Sequence, residues 1–597
     1  MKLLLIIKLI NNQNTEDTSI TIDNNLLLSW SNLTITSKKT KTKLINNLHG
    51  YVKSGFCAIM GQSGSGKTTF LSALAKRISH TDMIIDGSLE INNHPYTNND
   101  LKNFSGYVMQ EDVLHSYLTV YETLQYAAEL RMIRNTTKDV QLTKIEEVIN
   151  KMGLNECRNI IVGDSRTKGI SGGEKKRLCV AIELLTDPKI LFLDEPTSGL
   201  DSKIALSLIE KLKCIANDGC MVICTIHQPQ NKIFNLFDNL ILMKNGLIVY
   251  NGSPLKALDL ISRQTSMNDG DLLIDEISTN DNIHLLQDLL LDKSLYNDTS
   301  IFTPKNRQTW FKQFSILLRR NIKYHIFNWK LILINTIATI IVSFFICMSV
   351  WNSIGINKKS ASLRQAALFF SVINQGIVSS LQGTHSFPLE RNIMLRERAA
   401  GAYRVSSYFV AKTIGDMIFQ IFAPILYTCI VYYNIGFQSE ASKFFIFMGF
   451  MILASMAATS ISNMISCICV SIELSTIILA AVYEISRLYG GWFISPKLLF
   501  QYPNWKFADS LSYIKYAFVG VSLNENDGLL ITCAQSELDS NNKCIIPPIN
   551  TPPYTGAAFN SYYGYDNYTI SFCAGILIAY IIISRLIGYV ALRYIKY

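Results

Sequence analysis

Charge is scarce in this sequence. Of 597 residues, 17% are Asp, Glu, Lys or Arg against 49% hydrophobic, a balance too apolar for a wholly soluble chain of this size. A cysteine framework is also missing. The 13 cysteines are irregularly spaced and form no Cys-x-x-Cys pair, which argues against a zinc module. Most read as free thiols of a reducing compartment. The basic residues are not concentrated either. The net charge is +9, but Lys and Arg are scattered and many flank apolar runs, so nucleic acid is not an expected partner. The opening run from Met1 to Ile7 resembles a short signal peptide, yet Lys8 interrupts it and no small-residue cleavage site follows. Residues 1–19 therefore read as a tail or an early strand.

The length implies two or more structural units, and the long apolar runs crowd after about residue 330, a soluble-then-membrane order. The strongest local signal is Gly61-Gln62-Ser63-Gly64-Ser65-Gly66-Lys67-Thr68-Thr69, between a strand-like run (Phe56 to Met60) and a helix-like run (Phe70 to Ala75). Glycines let loop amides and a helix N-terminus wrap phosphates. Lys67 is expected to reach the terminal phosphates and the Thr68 hydroxyl to ligate Mg2+. Ile190-Leu191-Phe192-Leu193 ends in Asp194 and Glu195, as a buried parallel strand opening on a ligand crevice does. Asp194 is expected to hold Mg2+, and Glu195 to act as general base on water. Between these segments, Ser171-Gly172-Gly173-Glu174 opens a helix and forms a second anion nest.

Two nests are one too many for a single nucleotide, unless each serves a different ATP. Ser171 to Glu174 resembles the signature of ATP-binding-cassette ATPases. That resemblance implies ATP sandwiched between one copy's phosphate loop and the other copy's signature. Further motifs of the family follow in order. Gln110 resembles the Q-loop glutamine that contacts Mg2+ and couples to the membrane domain. Ser198-Gly199-Leu200-Asp201 resembles the D-loop, and His227 the switch histidine that contacts the terminal phosphate. Trp30 lies near the segment that carries the adenine-stacking aromatic, without being assigned that role. Leu118 to Leu124 begins an expected helical subdomain, with Glu146 and Glu147 on its solvated face.

Domain order, ATPase first and spans second, resembles the G subfamily of white-pigment, sterol and multidrug half-transporters. The resemblance covers nearly the whole chain, and Gly401-Ala402-Tyr403-Arg404-Val405-Ser406-Ser407-Tyr408-Phe409, Thr428 to Tyr433 and Asn524-Glu525 look like the multidrug branch. The expected fold class is an α/β P-loop ATPase domain of cassette type (20–265), then an all-α six-helix transmembrane domain (331–597). A linker (266–309) and an amphipathic connecting helix (310–330) join them. The family's Cys-Pro and Asn-Pro-Ala-Asp-Phe segment is reduced here to Asn268-Asp269-Gly270-Asp271-Leu272. Spans are expected at about 331–350, 366–384, 408–433, 444–466, 473–490 and 570–592, with an external loop at about 491–569.

Family geometry implies a cargo cavity between paired copies of spans two and five, with Asn374, Gln375 and Ile377 facing it. Glu484 and Arg487 share one face of span five, as a mutually neutralising pair or a polar cargo contact. Trp492 and Phe493 sit where the family has an apolar gate. Cys533 and Cys544 are disulfide candidates, if their loop faces an oxidising compartment, and Asn567 is a glycosylation candidate. The resemblance implies a second half-transporter as partner (homodimer, or heterodimer), contact with membrane lipid, small amphipathic cargo, and a cytoplasmic ATPase domain. The plasma membrane is the default location. Two other classes share parts of the pattern: an ATP-gated channel or regulator, and a soluble cassette ATPase of translation or DNA repair, against which the spans argue.

Overall fold

The computed structural model describes residues 26–78, 82–164, 167–227, 229–257, 286–287, 308–349, 351–356, 358–469, 471–499, 503–530 and 555–594. The tail, most of the linker and both loop cysteines lie outside them. The chain divides into two compact units. One comprises residues 1–309 with 396–403, the other 310–395 with 404–597.

In the first unit, β1 (Leu27–Ser37), β2 (Lys43–Lys53), β3 (Phe56–Gly61), β4 (Met83–Ile91), β5 (His94–Pro95), β6 (Ser105–Val108), β7 (Ile190–Leu193), β8 (Met221–Thr225), β9 (Asn239–Lys244), β10 (Leu247–Gly252) and β11 (Leu286–Gln287) form two sheets. One is antiparallel, in the order β2-β1-β4-β5; the other runs β11-β10-β9-β3-β8-β7-β6. In the second, β3, β6, β7, β8 and β9 are parallel. Every residue of β3, β7 and β8 is buried, which is why they read as unbroken apolar runs rather than alternating ones. Val108 pairs with Leu193 and Leu193 with Cys224, so these strands end at a common edge. Ligand-binding loops of parallel sheets emerge at that edge.

Among the described residues seven helices accompany the sheets: α1 (Lys67–Leu74), α2 (Asn98–Phe104), α3 (Val120–Arg131), α4 (Lys138–Met152), α5 (Gly172–Leu184), α6 (Ser202–Asn217) and α7 (Asn231–Phe234). The expected helical subdomain begins at α3, whose Thr119 and Glu122 form a capping box. Glu146 and Glu147 are taken up by Arg158 and Lys144, in surface pairs. Trp30 is buried in β1 with its ring edge-on to Phe70 at 5.1 Å, so it belongs to the core.

The second unit is helical: α8 (Trp310–Phe327), α9 (Trp329–Met348), α10 (Lys358–Ala399), α11 (Val405–Gln420), α12 (Phe422–Ile435), α13 (Ala441–Ile468), α14 (Ile472–Leu488), α15 (Tyr513–Asn526) and α16 (Ile570–Tyr594), with shorter turns between. Helices cover all six expected spans. Among the described residues four segments are long and apolar enough to cross a membrane: α9, the consecutive α11 and α12, α13 and α16. The other two segments differ for separate reasons. Helix α14 has 17 residues, at the lower end of the length that crosses a bilayer. Helix α10 carries Ser371, Asn374, Gln375, Ser379 and Ser380 in its apolar stretch. The segment expected as an external loop contains α15, which is buried almost throughout. It is an ordered helix because its small and apolar residues pack on neighbouring helices.

Candidate functional site

The glycine-rich turn links β3 to α1. Gly66 adopts φ 97, a left-handed conformation costly for other residues, at the helix N-cap. A Cβ on Gly64 would meet nothing within 4 Å. Gln62, Ser63, Gly64 and Thr68 are exposed; Gly61, Ser65 and Lys67 are buried, with Thr69 between. The Lys67 ammonium folds back and donates to the carbonyls of Gly61 (2.8 Å) and Gln62 (2.9 Å). Burial pulls its pKa below the usual lysine value, while Glu195 and Asp194 oppose that shift. The Ser65 hydroxyl is buried and has no hydrogen-bond partner among the described residues. An orphaned donor and an ammonium held only by carbonyls, beside open space, suit a bound polyphosphate.

Strand β7 delivers the two carboxylates. Asp194 is buried, and its Oδ1 accepts from the hydroxyls of Thr68 (3.0 Å) and Thr225 (2.8 Å). Glu195 turns away with φ 43. Its amide donates to Thr225 Oγ1 (2.8 Å), and its carboxylate accepts from Gln110 Nε2 (2.9 Å). Thr68, Asp194 and Gln110 thus gather at one place, a hard-oxygen set that suits Mg2+ completed by water and phosphate. Among the described residues no cluster of three His, Cys, Asp or Glu side chains could hold a metal. His227 is exposed, just beyond β8.

Ser171 caps α5. Its hydroxyl accepts from the Glu174 amide (3.3 Å), and the Glu174 carboxylate takes the Ser171 amide and hydroxyl, both at 2.8 Å. Partial burial opposes ionisation of Glu174, but those two bonds outweigh it and hold the carboxyl below its usual range. Ser171 and Gly172 are exposed and Gly173 is buried. Asp201 caps α6, accepting from the amides of Lys203 and Ile204, both at 3.0 Å.

Two residues that sequence reasoning passed over help to build this site. Thr225 bridges Asp194 and Glu195, and the signal for it was a lone hydroxyl ending an apolar strand. Lys176 reaches the Gln110 segment, and the signal was a lysine facing inward on α5.

In the second unit, Gln375 is buried, Asn374 is half-buried and Ile377 is 41% exposed. The Tyr483 hydroxyl donates to the Ile373 carbonyl at 2.8 Å, which sets α14 beside that stretch of α10. On α14, Glu484 and Arg487 pair at 2.6 Å, with side chains 59% and 45% exposed. Trp492 packs edge-on to Phe518 and Phe493 edge-on to Phe369. Asn567 is exposed, shortly before α16. All eleven cysteines of the described residues are free thiols.

Residues 45–198 match the family model "ABC transporter", and residues 312–526 the model "ABC-2 type transporter". ABC transporter G family member 14 of Arabidopsis thaliana is 30% identical, over 82% of this chain and 81% of its own length. Protein white of Drosophila melanogaster is 30% identical, over 85% and 79% respectively. The broad substrate specificity ATP-binding cassette transporter ABCG2 of Rattus norvegicus is 28% identical, over 85% and 84%.

Proposed function

This chain belongs to the ABC transporter G family, and on that premise we propose that two copies of it export lipid-like, sterol or amphipathic drug-like compounds. It is a membrane protein whose ATPase activity is coupled to transport. The observation that carries the proposal is the junction of Thr68, Asp194, Thr225, Glu195 and Gln110 beside the phosphate loop.

In the proposed cycle, loop amides, Ser65 and Lys67 hold the phosphates of ATP. Thr68, Asp194 and Gln110 would hold Mg2+, which when bound would neutralise charge on the phosphates. Glu195 takes the proton of the attacking water as the bond from the terminal phosphorus to the bridging oxygen breaks. His227 contacts the terminal phosphate. The exposed Ser171 and Gly172 complete the site of the other copy, where amides at the start of α5 face phosphate. Closure on ATP turns the cavity outward, and hydrolysis resets it. Six spans, α10 and α14 among them, complete each copy. Those two helices are the polar and the short one, as suits helices lining a wet path rather than facing lipid. Ile377 and Phe493 offer apolar surface, while Asn374, Glu484 and Arg487 offer polar contacts. The plasma membrane is the proposed location.

The test is ATP hydrolysis and cargo uptake by the purified chain in proteoliposomes, screening sterols, phospholipids and aromatic drugs, with Glu195→Gln as control. We expect uphill uptake of one class and a loss of ~10^2-fold or more in hydrolysis by the variant. Downhill flux only, with uptake indifferent to Glu195, would instead favour an ATP-gated channel.

A further inference from the structure

Helix α5 has a second face. Lys176, on its first turns, is 2% exposed. Its ammonium donates to the carbonyls of Gln110 (2.7 Å) and Met109 (3.4 Å) and pairs with the Asp112 carboxylate at 2.8 Å. A lysine ammonium has three donors and no acceptor. Two of them go to the backbone of the segment that carries Gln110, and the Asp112 carboxylate neutralises the charge as an ion pair. The Gln110 side chain in turn donates to Glu195. Helix α5 therefore joins its exposed Ser171 end, through Lys176 and the Gln110 segment, to the proposed general base of the same chain. The adjacent Lys175 takes a different course and donates to the Gly163 carbonyl at 3.0 Å.

We infer that Lys176 is a positioning residue that couples the two ATP sites of the transporter; this rests on the two-copy reading above. Nucleotide of the other copy, pressing on Ser171 and Gly172, shifts the start of α5. Lys176 carries that shift to the backbone of Met109 and Gln110, and Gln110 then releases or holds Glu195. Hydrolysis at one site is thereby made to depend on occupancy at the other. A buried ammonium is costly unless fully bonded, and a filler role would be served equally by an apolar side chain. The placement of its acceptors, on both sides of the one glutamine that touches Glu195, is what distinguishes coupling from filling.

The experiment measures hydrolysis rate against ATP concentration for the full chain in lipid nanodiscs, with copies per particle counted by mass. Lys176→Met removes the donors at similar length, and Lys176→Arg keeps charge and donors. Wild type is expected to be cooperative in ATP. Lys176→Met is expected to lower kcat ~10-fold, leave KM within ~2-fold and bring the Hill coefficient to ~1, while Lys176→Arg recovers most of kcat. If Lys176→Met does not fold, Asp112→Asn, which weakens one of the three contacts, is expected to move kcat the same way by a smaller factor. Two-copy particles of Lys176→Met with wild-type kcat and cooperativity would overturn this inference alone. So would a rise in KM at constant kcat. Single-copy particles that hydrolyse ATP would overturn the two-copy reading and the inference together.

Discussion

The two units hold their polar groups differently. In the ATPase unit the phosphate loop and the helix caps bond within a few residues, while the carboxylates at the end of β7 meet Thr68, Thr225 and Gln110 from other elements. Lys67 bonds the carbonyls of its own loop, Ser171 and Glu174 close a box three residues apart, and Asp201 caps the helix that follows it. In the membrane unit buried charges meet across long stretches of sequence. Arg364 pairs with Glu525, and Asp416 accepts from Asn321 (3.0 Å) and Ser386 (2.9 Å) and meets His325 (2.9 Å). Lys412 meets Glu390 at 3.1 Å, and Lys515 pairs with Asp509 from the segment just before its own helix. Where loops shape a phosphate site, contiguous residues suffice. Where apolar helices surround a charge, only a partner on another element offsets its desolvation. Glu484 and Arg487 break the second pattern: they are neighbours on a single helix face and largely exposed.

Breaking a buried long-range pair is expected to have the largest effect. Glu525→Ala leaves Arg364 unpaired, with the Gln438 amide also losing its acceptor, and should destabilise the membrane unit by ~3–5 kcal/mol. A detergent-solubilised thermal melt would show it, and an unchanged midpoint would remove the contrast between the units.

The ATPase unit also has buried pairs of the membrane type, which sharpens the comparison. Arg131 grips Glu183 through both nitrogens at 2.9 and 2.7 Å, deep in the unit. Burial opposes ionisation of Glu183, but Arg131 outweighs it and holds the carboxyl below its usual range. A depressed carboxyl stabilises fully above the ordinary carboxylate range and loses that contribution as pH falls through its folded-state value. Glu183→Gln should therefore cost ~2–4 kcal/mol at neutral pH, and progressively less than that in acid. A penalty independent of pH would contradict the assignment.

What was legible in the sequence follows the same division. The phosphate loop, Asp194, Glu195 and the Ser171 cap could be read because each is set by neighbours in sequence. Helix positions in the membrane half were legible from apolar length alone. The partners of Asp416, Arg364 and Lys515 were not, since no local pattern marks a pair formed through tertiary packing. Helix α15 escaped notice for a related reason: its burial comes from neighbouring helices rather than from a span-length apolar run. Thr225 was missed because its importance lies in register, opposite the end of β7.

Thr225→Val keeps shape and β propensity but removes the bridge to Asp194 and Glu195. The expected loss is ~1–1.5 kcal/mol, or about tenfold in kcat at nearly constant ATP affinity. Steady-state kinetics check it. The smallest stability effect belongs to the exposed pair. Glu484→Gln with Arg487→Gln should shift stability by no more than ~0.5 kcal/mol, while changing which amphiphiles stimulate hydrolysis. A large loss of stability would instead make the pair structural.

The central claim, that ATP is completed by the signature of a second copy, is tested most directly by Ser171→Asp. Aspartate caps a helix as well as serine does, so α5 should stay intact while a negative charge is set against the phosphates. The measurement is ATP hydrolysis and ATP binding by the full chain in lipid, beside Glu195→Gln. The account predicts hydrolysis reduced ~10^2-fold or more, with thermal stability preserved. Hydrolysis by Ser171→Asp at the wild-type rate would contradict it.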